Sequence, residues 1–205
     1  MMRHLLATLA LALVGFCARP ASAQLLGSKG DAIFSAERLF GVRGEHWRFE
    51  PPAPANHVEA NDTVIAFGFA KSGVPYNIPR LAFDYMLVNQ LSLGGAVGFS
   101  LSDASNDFIV APRIGFLHMF GRVAGIWPRG GFFYHSTAVG NQYKESSLGL
   151  NLECMFPIVV AGHFGFEVGL TFDQSLTGKH DPDAGPAYDI EYRSIALQVG
   201  LLGWI

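Results

Sequence analysis

The sequence predicts an all-β protein, an eight-stranded antiparallel up-and-down transmembrane β-barrel. Three observations carry this. Export is written at the N-terminus, the rest of the chain alternates with period 2, and the composition is poor in charge. Half of the 205 residues are hydrophobic and only 15% are charged, against about 25% in a typical soluble domain. Glycine (24) and phenylalanine (17) are abundant. Such a chain holds too much apolar material for disorder. A net charge of −3 gives no basic face for nucleic acid.

Residues 1–23 read as a signal peptide. Arg3 and His4 precede an apolar run from Leu5 to Phe16, too short for a membrane helix at ~20 residues. Ala21-Ser22-Ala23 then supplies an A-x-A cleavage site. Removal of Arg3 and Arg19 takes Lys plus Arg from 14 to 12 against 17 Asp plus Glu, a net charge of −5. It also removes Cys17 and leaves Cys154 alone, so no internal disulfide can form. Residues 24–205 are expected to make one barrel domain. No stretch of 18 apolar residues follows the signal peptide, so a membrane would be crossed by strands.

The alternation sets the two faces. Phe164, Phe166, Val168, Leu170 and Phe172 point one way, and Gly165, Glu167, Gly169, Thr171 and Asp173 the other. Residues 148–156 do the same, with Leu148, Leu150, Leu152, Cys154 and Phe156 opposite Gly149, Asn151, Glu153 and Met155. The pattern recurs over 91–102 and 194–205. The large face is apolar. The small face is Gly, Ser, Ala and Thr with few charges, which suits the crowded inside of a narrow barrel with lipid outside. Eight strands follow, at 32–42, 78–88, 91–102, 108–120, 125–139, 145–157, 162–175 and 190–205. Most have the ten or so residues that a tilted membrane strand needs. Links 89–90, 121–124 and 158–161 are short. Links 43–77 and 176–189 are longer, which puts them on the extracellular side and both termini on the periplasmic side. Segment 63–70 is strand-like and is read as an extension above the membrane or part of a folded first loop.

A weak repeat, Pro-Arg-x-x-Phe, occurs at 79–83, 112–116 and 128–132. Alternation turns each Arg inward and each Pro and Phe outward. Proline removes a ladder hydrogen bond, so these positions are candidates for bulges. The Trp residues at 47, 127 and 204 are candidates for an interfacial girdle, with a core position the alternative for Trp127.

The architecture resembles small bacterial outer-membrane β-barrels of the OmpA transmembrane-domain or OmpX type. The stretches 78–85 (IPRLAFDY), 92–99 (SLGGAVGF), 125–134 (GIWPRGGFFY) and 201–205 (LLGWI) resemble a group of uncharacterised barrel proteins of about this length. The resemblance implies a fold and a place in the outer membrane of a Gram-negative cell, and no activity. Many such barrels end in an aromatic residue that the barrel-assembly machinery reads; here Trp204 is penultimate.

The inward face collects charge at Glu37, Arg80, Asp84, Arg113, Arg129, Glu153, Glu167 and Asp173. A selectivity or gating site is one reading. The expected one is an internal salt-bridge network, because an eight-stranded barrel has room only for side chains or one small ligand. The histidines show no metal-ligand spacing. No G-x-S-x-G, P-loop or dinucleotide fingerprint occurs. No catalytic, cofactor or metal residue is expected, nor any cofactor. The expected protein is a non-enzymatic monomer with a largely plugged interior and a structural or surface-interaction role through its extracellular loops. Its expected partners are outer-membrane lipid and, during insertion, the barrel-assembly machinery; the sequence names no extracellular partner. A soluble lipocalin-like carrier of an apolar ligand and a lipid-modifying barrel enzyme are the alternatives.

Overall fold

In the computed structural model, residues 26–52, 56–67, 78–101, 105–140 and 142–205 are described. The segment read as a signal peptide lies outside them, as do 68–70 of the strand-like segment.

Among the described residues ten strands form, in chain order: β1 Ala32–Glu50, β2 Val58–Phe67, β3 Arg80–Val88, β4 Leu91–Leu101, β5 Ser105–Phe116, β6 His118–Met119, β7 Gly125–Val139, β8 Tyr143–Ala161, β9 Phe164–Pro182 and β10 Tyr188–Trp204. Neighbours run in the order β10-β9-β8-β7-β5-β4-β3-β1, and β10 pairs with β1. Every pairing is antiparallel and the ring closes on itself, which leaves no open sheet edge for a bilayer to meet. On the edge away from β10, β1 serves two neighbours. Ala32 to Glu37 pair with β3, and Phe40 to Phe49 pair with β2. β2 therefore stands above the short β3 in the same column. Residues 63–67 of the strand-like segment are part of a hairpin that extends β1 upward.

The two faces follow the alternation. Leu81, Leu93, Leu101, Ile114, Phe132, Leu152, Leu170 and Ile195 are each more than half exposed on the outside. Oppositely placed residues such as Asp84, Ser92, Glu167 and Asp173 are wholly buried. In a monomer this exterior is one apolar belt, far beyond the patch a soluble protein leaves bare, and its solvent is lipid. Val168 lies within the belt between Val199 and Phe156. Val168→Arg is expected to destabilise the inserted barrel by about 2–4 kcal/mol, measured by urea titration in lipid vesicles. Assembly equal to wild type would mean that this face does not meet lipid.

One end of the barrel is made of tight turns. Val88 pairs with Leu91 and Ala161 with Phe164 across two-residue links. Gln90 (φ 73°) and Gly162 (φ 50°) take the left-handed conformation that closes them. Both termini lie at this end, where Ala32 and Ile205 exchange two backbone hydrogen bonds of 3.0 Å. The N-terminal hook 26–31 folds across the opening. The Asp31 carboxylate accepts from the backbone N–H of Gly27 and Ser28, each at 2.9 Å. Gly30 N–H donates to Met86 and Gln90 N–H to Gly27. Leu26 thereby joins Ile33, Met86, Leu117, Trp127, Met155, Leu202 and Trp204 in an apolar layer that fills the base.

The structure corrects several boundaries. β1 continues to Glu50 and β9 to Pro182, where loops were expected, so the strands rise well past the apolar belt. The turn expected at 158–161 is strand, and the link is Gly162-His163. Pro112 and Pro128 cause no bulge. The β5–β7 ladder skips Ala111 and Pro112 and resumes in unchanged register, and it ends at Arg129 beside Pro128. Each proline stands where the ladder lacks a bond, facing outward. Pro79 precedes β3. The three tryptophans are all buried, at 7%, 0% and 3% exposure for Trp47, Trp127 and Trp204. They face the interior and form no girdle.

Candidate functional site: the charged interior

Above the apolar base the barrel holds charge. Glu37, Arg80, Asp84, Arg113, Arg129, Glu153, Glu167 and Asp173 are all at most 6% exposed. The alternation brings them inward from β1, β3, β5, β7, β8 and β9. The first centre is Arg113. It donates to both oxygens of Glu37 at 2.9 and 2.7 Å and to both oxygens of Asp84. It also reaches Glu153 at 3.3 Å. The second centre is Arg129, which pairs with Glu153 at 2.7 Å, Glu37 at 2.9 Å and Glu167 at 3.3 Å. Its guanidinium lies 4.6 Å over the Trp127 ring, a further favourable contact for a desolvated cation. Ser35 donates to Glu37 at 3.0 Å.

Glycine makes the room. In the cross-strand row Asp84, Gly94, Arg113, Gly131, both neighbours of Arg113 lack side chains. The guanidinium can therefore lie over Gly94 to reach Asp84. A Cβ at Gly94 would come within 2.6 Å of the Asp84 carboxylate. Gly200, opposite Glu167, does the same; a Cβ there would meet Glu167 Oε1 at 2.9 Å. The small inner face read from the sequence is thus the space into which the long charged side chains fold.

Three interior charges were not expected. Arg38 belongs to the outward parity, yet it is 4% exposed and turned inward. A register shift between Ala36 and Phe40 against β10 accommodates it, with Arg38 itself at φ 58°. It holds Asp173 with two bonds of 2.7 and 3.1 Å and lies 3.5 Å from Glu153. Asn151 adds a 2.6 Å bond to Asp173. Nothing in the residue pattern reveals the bulge. Arg43 and Glu45 sit higher, 3.7 Å apart, with the Tyr192 hydroxyl 3.2 Å from Arg43 and donating to Glu45 at 3.4 Å. These two had a signal. They continue the odd-numbered inward parity of Glu37 into Trp47. Arg80 stands apart, with Nε and Nη2 buried and without hydrogen-bond partners.

The remaining polar constellations are smaller. Thr137 Oγ1 lies 2.8 Å from Asp107 and 2.9 Å from His135 Nε2. At the open end, His180 is sandwiched between Tyr143 and Tyr188, each ring 4.7 Å away, and its Nδ1 meets Glu145 at 2.6 Å. Burial, and then the Glu145 charge beside them, push both tyrosine hydroxyls above the usual phenol range. Among the described residues no group of three or more His, Cys, Asp and Glu could hold a metal ion.

No protein-family model matches the sequence, and no curated protein matches it. Solved structures do. The outer membrane protein OprG from Pseudomonas aeruginosa superposes with a TM-score of 0.53 at 12% identity, covering 87% of this chain and 99% of that one. Neisserial surface protein A (NspA) gives 0.49 at 11% identity, over 85% and 99%. At such identity the OprG match speaks for the fold alone. The closed ring, the apolar belt and this match define the class, a small integral β-barrel of the Gram-negative outer membrane.

Proposed function

We propose that this chain is a closed, non-enzymatic barrel that serves the envelope as a structural element and meets its surroundings through the long-strand end. One observation carries the reading. Ion pairs cross the interior from Glu37 of β1 to Arg113 of β5 and Arg129 of β7, and the apolar layer of Trp127, Trp204 and Leu26 lies beneath them. Every carboxylate of that network has an arginine within ion-pair reach, which is how buried charges become tolerable. A selectivity filter instead needs charges that a passing ion can approach and leave. In this reading residues 1–23 are removed on export, the barrel is a monomer, and the barrel-assembly machinery inserts it.

Reconstituted into planar bilayers, the protein should give no discrete conductance steps. Steady single-channel currents would overturn the closed interior. The orientation has its own test. Short periplasmic turns and longer outer ends are the rule for these barrels, so epitope tags inserted near Asn56 or Asp183 should be reached by antibody on intact cells. Labelling only after the outer membrane is opened would reverse the topology.

A further inference from the structure

The outer wall bears a depression of about 580 Å³ where the apolar belt meets the polar end of the barrel. Its floor is a row across four strands. Gly44 of β1 pairs with Thr63 of β2 and Ile195 of β10, and Ile195 pairs with Phe172 of β9. The outward row below is Val42, Leu197 and Leu170, at 49%, 52% and 55% exposure. The outward row above is Asn61, His46, Arg193 and Gln174. Apolar gives way to polar within one step of the strands. Gly44 leaves the floor without a side chain, and a Cβ added there meets nothing within 4 Å.

Arg193 stands on the rim. It is exposed, its lateral neighbours are His46 and Gln174, and no carboxylate shares its row. Its place differs from that of Arg48, which is tied to Glu50 at 3.0 Å. His46 is held at the rim by Asn61, Nδ1 to Oδ1 2.9 Å. Of the acidic residues that line the depression, Glu45 points into the barrel at 3% exposure, and Asp62, opposite it on β2, is exposed but lies outside the row of Arg193. A guanidinium with no ion pair among the described residues, above an apolar notch and at the level where headgroups begin, fits a phosphate on an acyl chain. Arginine suits this task because its planar fork binds phosphate with two donors.

We propose that the notch binds one phosphate-bearing lipid of the outer leaflet, lipid A. Arg193 takes a phosphate, and an acyl chain lies over Gly44 against Phe172 and Ile195. The choice of leaflet rests on the orientation proposed above. Binding itself does not, so the two fail separately.

The test is native mass spectrometry of the refolded chain in detergent with diphosphoryl lipid A, dephosphorylated lipid A or phosphatidylglycerol. Wild type should retain one diphosphoryl lipid A and lose it at least tenfold more readily when the phosphates are removed. Arg193→Gln should weaken retention about tenfold. Gly44→Leu should do the same by filling the notch, since the space there is open and the fold is not strained. Heat-dependent gel migration matching wild type shows that both variants fold. Unchanged retention in either folded variant, or equal retention of dephosphorylated lipid A, overturns the site. Equal retention of phosphatidylglycerol overturns the assignment to lipid A.

Discussion

Arg113→Met is expected to destabilise the folded barrel by about 3–5 kcal/mol, the cost of leaving a buried charge without its partner. The reason is unequal dependence among its three carboxylates. Glu37 keeps Arg129, and Glu153 keeps Arg129 and Arg38. Asp84 pairs with Arg113, and it is wholly buried. Gly94 and Gly131 beside Arg113 offer no polar side chain to replace it. The measurement is reversible urea unfolding in detergent, followed by gel migration of unboiled samples. Asp84→Asn in the Arg113→Met background should recover part of the loss, because the amide removes the stranded charge. A midpoint for Arg113→Met equal to wild type would mean that the ion pairs contribute nothing net, and that the interior is wet enough to solvate Asp84.

How much of this arrangement the sequence disclosed depends on the residue. Period 2 is a local property, so the alternation assigned the face of Arg113, Arg129, Glu153, Glu167 and Asp173 without knowledge of their neighbours. Register is also partly local, because the turn at 89–90 fixes which residues stand opposite; the turn at 162–163, expected at 158–161, was missed because strand alternation runs through both segments. Arg38 was invisible for a physical reason. A bulge breaks parity, and its cause lies in the pairing of β1 with β10 at the far end of the chain. The upper halves of β1 and β9 were hidden differently. Sequences such as RGEHWRFE (43–50) keep the alternation but lose the apolar outer row, so they resemble a loop when lipid exposure is the criterion. Above the belt the same strand continues in water, and only its inner residues, Arg43, Glu45 and Trp47, keep the pattern. The lipid notch could not be read either, since Gly44, Ile195 and Phe172 meet only through two cross-strand pairings.

The second centre tests whether the network acts as a unit. Arg129 stands directly opposite Glu153 in the β7–β8 ladder and bonds it at 2.7 Å. It is also the arginine within ion-pair reach of Glu167, whose two oxygens have no hydrogen-bond partner and whose surroundings are closed by Gly200. Arg129→Met should therefore cost about 3–5 kcal/mol, with most of the penalty at Glu167. Glu153→Gln alone should cost less, because Arg129 retains Glu37 and Glu167. The double variant Arg129→Met/Glu153→Gln should cost less than the sum of the single changes by about 1 kcal/mol or more, the range for residues in one network. Arg129→Met/Glu167→Gln should show a larger coupling, since it removes the carboxylate that has nowhere else to turn. Equilibrium unfolding of wild type and five variants in one detergent, the Glu167→Gln single included, gives both cycles. If both cycles are additive, the side chains are too well hydrated to couple. If Glu153 couples more strongly than Glu167, the dominant interaction is the 2.7 Å bond rather than the burial of an otherwise unpaired acid.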